Sequence, residues 1–124
     1  MNDSVRIAVT TIGADGAAVG TAYSPRPIDG EIAAVHVDWG ATAPNTSDIA
    51  VTIESDDNHP AITLYSKANA NADVSVYPLV QATGTDGAAI ASWYVPIFGA
   101  GRVKVVVGDC NALAPAVTVT VYVK

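Results

Sequence analysis

The stretch that decides the fold is the last one, Val117-Thr118-Val119-Thr120-Val121-Tyr122-Val123-Lys124. Valine recurs at every second position, with Thr118, Thr120, Tyr122 and Lys124 between. Successive side chains of an extended backbone point to opposite faces, so the segment has one apolar and one polar face. That pattern predicts a strand with one face buried. The same period appears in Val5, Ile7 and Val9, in Ile49, Val51 and Ile53, and in Val103, Val105 and Val107. Shorter runs at 19–23, 31–39, 62–64, 74–76 and 89–98 fit between them. Turn signals separate the runs, above all the Asp-Gly pairs at 15–16, 29–30 and 86–87, where glycine accepts the positive φ a tight turn requires.

Composition agrees. The 124 residues hold 18 Val, 9 Ile and 11 Thr against 3 Leu and 2 Glu, which suits a pleated, half-buried surface and not helices. The 22 Ala mostly sit beside Gly, Asn or Pro, or inside alternating runs. We expect a single all-β domain spanning 1–124, a two-sheet antiparallel sandwich or jelly roll of about eight short strands. Pro25 and Pro27 interrupt any ladder at 24–27, and Pro78 marks a strand as an edge or an end.

Several function classes are excluded on the same grounds. Apolar runs are broken by Gly, Pro or Asp long before ~18 residues, so no membrane partner is expected. A net charge of −6, with six scattered Lys and Arg, disfavours nucleic acid. Cys110 has no partner for a disulfide and reads as an inert thiol in a turn. The sequence begins without a basic segment followed by an apolar stretch, so no signal peptide is read there.

Catalysis needs a nucleophile, base and orienting group, a metal cluster, or a carboxylate pair with separated pKa values. His36 reads as a solvent-facing strand residue, and His59 as part of a polar turn. Asp56-Asp57-Asn58-His59 is the best metal candidate, but its spacing is not that of an EF-hand loop, and turns are rich in these residues anyway. No enzyme, metal or cofactor is expected. Binding or assembly is left.

The densest aromatic cluster is Trp93, Tyr94 and Phe98. Adjacent residues fall on opposite faces, so one reading puts Trp93 and Val95 in the core with Tyr94 outside. The other exposes part of the cluster as a contact surface. Trp39 is equally open. The candidate partner contacts are Pro25, Arg26 and Pro27, a segment preorganised by its prolines, together with Tyr94 and Phe98.

The chain resembles small virion proteins of tailed bacteriophages, the capsid cement or decoration-like minor head proteins. The likeness lies in Gly20-Thr21-Ala22-Tyr23-Ser24-Pro25 with Gly30-Glu31-Ile32, and in Asp48-Ile49-Ala50-Val51-Thr52-Ile53-Glu54. It continues in Asn69-Ala70-Asn71-Ala72-Asp73, Tyr77-Pro78 and Gly87-Ala88, then in Gly101-Arg102-Val103-Lys104-Val105-Val106-Val107 and Val119-Thr120-Val121-Tyr122-Val123. The resemblance implies a β-sandwich subunit, commonly a homotrimer, made in the host cytoplasm. It would sit on the outer surface of the phage head and bridge and stabilise major capsid proteins. The alternatives are a carbohydrate- or receptor-binding β-sandwich of a head or tail fibre, with Trp39, Trp93 or Tyr94 lining a groove, and a tail or connector component.

Overall fold

The computed structural model describes residues 3–54 and 60–124. Eleven antiparallel strands make it up: β1 (Asp3–Val9), β2 (Ala18–Tyr23), β3 (Ile28–Trp39), β4 (Asp48–Ile53), β5 (Ile62–Lys67), β6 (Val74–Val76), β7 (Leu79–Thr83), β8 (Ala89–Pro96), β9 (Phe98–Gly101), β10 (Val103–Cys110) and β11 (Val117–Val123). One sheet runs β1-β11-β3-β6, with β9 also on β3; the other runs β2-β10-β4-β5. Setting β7, β8 and β9 aside, the first strand pairs with the last, the second with the last but one, and the fourth with the fifth. That is the pairing of a jelly roll. Eight of the runs read from the sequence are these eight strands. The run read at 89–98 is β8 and the start of β9, which with β7 form an insertion between β6 and β10.

The alternation places the core. Val117, Val119, Val121 and Val123 point inward from β11, and Val5, Ile7 and Val9 beside them from β1. They meet Ile49, Val51, Ile53, Val103, Val105 and Val107 of the opposite sheet in one continuous cluster. The outward residues Thr118 and Thr120 lie opposite Ala8 and Arg6. Cys110 is buried in this core at the end of β10, so the segment read as a turn is the end of a strand, with Asp109 in the left-handed region at φ 48°.

Other expectations need correction. Asp29-Gly30 does not turn the chain: both residues lie inside β3, opposite Ala100 and Gly99 of β9. Gly99-Ala100-Gly101 lies in β9, where a side chain at Gly99 would collide with Ile53 of the opposite sheet and Gly101 holds φ 138°. The turn at Asp15-Gly16 forms as read, with Ala17 N–H donating to Ala14 C=O at 3.0 Å. Asp56, Asp57, Asn58 and His59 lie outside the described residues.

Candidate functional site: an apolar arm and the groove at its root

The inserted strands β7 and β8 pair only with one another and form a separate two-stranded ribbon. It leaves the sandwich after β6 at Tyr77-Pro78 and returns at Pro96. The two prolines bracket it, and Leu79 sits directly opposite Pro96. At the tip, Gly84 N–H donates to Ala88 C=O and Gly87 N–H to Gly84 C=O, both at 2.9 Å. Asp86 Oδ1 caps the turn by accepting from Ala88 N–H at 3.0 Å. The turn read at Asp86-Gly87 forms, starting after Thr83, the last residue of β7.

The pairing of the ribbon is interrupted. Gln81 lies opposite Tyr94, but Thr83 lies opposite Ala89, so Ile90 to Trp93 bulge against a single residue. Ser92 at φ 61° makes the bend. The Gln81 side chain closes the gap by donating to the Ile90 carbonyl at 3.1 Å. A bulge of this kind re-aims side chains, and here it delivers Trp93 to the surface.

Directly paired residues share a face. Leu79 and Pro96, and with them Gln81 and Tyr94, lie on one face; Val80 and Val95 lie on the other, and Trp93 stands in the bulge, outside the register. Neither face is covered. Leu79, Val80, Ile90, Trp93 and Tyr94 are exposed on the arm, and Tyr77 and Phe98 at its root, over a range of 37–71%. The reading that buried Trp93 with Val95 is overturned: Trp93 is 59% exposed and Val95 only half-buried. The alternation presupposed a second sheet over one face, and none is there. Trp39, left open by the sequence, is 6% exposed and belongs to the core.

Where the arm meets the sandwich, Ile32 and Ala33 of β3 face Tyr77, Pro78, Leu79 and Pro96 across a groove of about 230 Å³. Its wall is mostly hydrocarbon, with Glu31 and Lys124 as one acid and one base. Leu79 of the ribbon lines this groove and Trp93 does not.

The other predicted contact segment is built differently. Ser24 is buried; its hydroxyl donates to Arg26 C=O at 2.7 Å and accepts from Val103 N–H at 3.0 Å. Arg102 donates to Ser24 C=O at 3.0 Å, its guanidinium lying 5.1 Å from the centre of the Tyr23 ring. Pro25 and Pro27 are exposed on this fixed base. Arg26 is exposed but occupied. Its guanidinium grips both carboxylate oxygens of Asp3, at 2.5 and 2.7 Å, and the Ser4 carbonyl at 2.9 Å. The hydrogen bonds from Arg26 and from Ser4 N–H hold the Asp3 carboxyl below its usual range. Pro25, Arg26 and Pro27 precede β3, whose Ile28 pairs with Gly101, while Phe98 stands at the other end of β9 opposite Glu31. The structure therefore places the proline segment and the arm at opposite ends of β9.

Elsewhere, His36 points to solvent, its Nδ1 2.7 Å from the Ser75 hydroxyl, as expected of an outward strand residue. Asp48 lies beside Asp109 and pushes the Asp109 carboxyl above its ordinary range, chiefly through a shared hydrogen bond. Among the described residues no three His, Cys, Asp or Glu side chains gather as a metal site would need.

The fold and this surface define a class: a jelly-roll β-sandwich carrying an apolar, two-stranded arm. No family model matches the sequence, and no curated protein matches it. Among solved structures the chain is similar to mutants of a family 29 carbohydrate-binding module. One is 11% identical, with a TM-score of 0.39 over 99% of this chain and 81% of the other. A second, in complex with cellulohexaose, is 12% identical, with a TM-score of 0.37 over 97% and 75%. Likeness of this depth assigns no role to any residue here.

Proposed function

We propose that this chain is a non-catalytic structural subunit of a virion, a capsid cement or decoration protein. It would bridge neighbouring major capsid proteins on the outside of a phage head, as a homotrimer assembled in the host cytoplasm. The arm is the observation that carries this reading. An isolated two-stranded ribbon is at best marginally stable in water. This one leaves large apolar side chains bare on both faces and carries one ionised group, Asp86. Such a surface calls for a protein contact to cover it. Bridging a shell requires buried area and no chemistry, and repetition over many sites multiplies modest contacts. The likeness of the strand and turn segments to phage head proteins supplies the particle.

A second reading, a carbohydrate- or receptor-binding β-sandwich, is favoured by the bare rings of Trp93 and Tyr94, on which a sugar could stack. Sugar sites also set several convergent polar groups beside the ring. The ribbon around Trp93 is apolar, with Ile90, Val80 and Val95, and the Gln81 amide already donates to Ile90. Protein is the better match.

Attachment to heads lacking the protein tests the choice. The intact chain should bind in many copies spread over the shell, and the Tyr94→Ala and Phe98→Ala variants should bind more weakly. Binding at a tail vertex alone would overturn the reading. So would saturable binding of an oligosaccharide that Trp93→Ala abolishes, with no attachment to shells.

A further inference from the structure

We infer that the arm of one copy is covered by a second copy of the same chain, with Trp93 of the first seated in the groove at the arm root of the second. The inference rests on the reading of the arm as a protein-docking element and names its immediate partner.

Knob and hole occur on the same molecule and do not meet within it. Trp93 stands exposed in the bulge of the ribbon and is not one of the residues that line the groove. One copy can therefore give its tryptophan to a neighbour while receiving another's. A contact between two different surfaces is head-to-tail, and repeated about an axis it closes a ring. Size fits as well. A cavity of about 150 Å³ is enough for one benzene ring, and the groove offers about 230 Å³, enough for a larger indole.

Charge allows the contact where the rest of the surface opposes it. Copies of net charge −6 repel one another. The ribbon from 79 to 96 carries a single ionised side chain, Asp86, and Glu31 offsets Lys124 at the groove. Arm against groove is thus a near-neutral pairing between two acidic molecules. Exposure points the same way: the exposed apolar side chains include both Trp93, which is given, and Tyr77 and Leu79, which line the groove that receives.

Sedimentation of the intact chain at micromolar concentration, with no other protein present, tests the inference. The expected result is a discrete multiple of 12.6 kDa. Trp93→Ala, which removes the knob, and Ala33→Arg, which fills the hole, should each run at 12.6 kDa with an unchanged circular dichroism melt. Mixed together, the two variants should form a dimer, because each retains the half that the other lacks. A wild-type chain that stays at 12.6 kDa overturns the inference, as does an oligomer that survives Trp93→Ala or variants that fail to complement. Attachment to heads then separates the two ideas. A monomer that still attaches through Tyr94 removes the inference and the homotrimer but leaves the attachment to capsid proteins standing; a monomer whose arm variants attach as well as wild type removes both.

Discussion

Strands β11 and β8 are of similar length and similarly apolar, and they end up in opposite environments. In β11 the four valines of one face are all buried against the facing sheet, and on the other face only Tyr122 is a large exposed side chain. In β8 the large side chains are Ile90, Trp93, Tyr94 and Val95, which occupy both faces, and none is fully buried. The difference lies in what surrounds each strand. β11 has β1 on one edge, β3 on the other and a second sheet over its valines. β8 has β7 on one edge and, among the described residues, no paired strand on the other. Apolar content alone does not decide burial. An apolar strand with no sheet over it is a surface in search of a partner.

The largest effect expected from this contrast is loss of the fold on deleting residues 117–124. β11 is central in its sheet, and each buried valine contributes about 1.5–3 kcal/mol. A truncated chain that kept a cooperative thermal melt would contradict the central placement. Next in size, Val119→Ala should cost about 2 kcal/mol in denaturant unfolding, whereas Ile90→Ala should cost within about 0.5 kcal/mol. Equal costs would erase the distinction between the two strands.

Smaller again, Tyr94→Ala should leave the melt of the free chain unchanged while weakening attachment to its protein partner by ~1–3 kcal/mol. Lost stability with intact attachment would return Tyr94 to the core. The smallest effect is electrostatic. Asp48 raises the folded pKa of Asp109, so the stability linked to that carboxyl is full at acid pH and is lost as pH rises through the raised value. Asp109→Asn should therefore raise the melting temperature at pH 7 and change little well below the usual carboxylate range. Asparagine also tolerates the left-handed backbone there. A fall at pH 7 would show that the pair is not strained by its charge.

The sandwich was legible because one-face burial imprints period two, which β1, β4 and β11 carry throughout and β10 from Val103 to Val107. The arm was not legible for the same reason. In Ile90-Ala91-Ser92-Trp93-Tyr94-Val95 apolar residues sit on both faces, and a pattern reader takes the bulkiest for core. β7, Leu79-Val80-Gln81-Ala82-Thr83, has no alternation at all, and β9 is mostly glycine. A signal was nonetheless present. Two apolar runs of similar length flank the Gly84–Gly87 turn, Pro78 and Pro96 stand at their outer ends, and only Asp86 among them is charged. That is the outline of a hairpin closed off from the strands on either side. Of the predicted contacts, Tyr94 and Phe98 are exposed at the arm and its root, while Arg26 is committed to Asp3, an ion pair no spacing rule could reveal.

The chain carries its own reporter of the contrast, because Trp39 lies in the core and Trp93 on the arm. Fluorescence of the Trp39→Phe variant, in which Trp93 alone emits, measures the arm directly. Diluted to the monomer, Trp93 should emit at long wavelength and be quenched freely by acrylamide. As the arm becomes covered at higher concentration or on the particle, the emission should shift to the blue and quenching should fall. A Trp93 already blue and protected in the dilute monomer would mean that the arm folds onto its own sandwich, and would contradict this account.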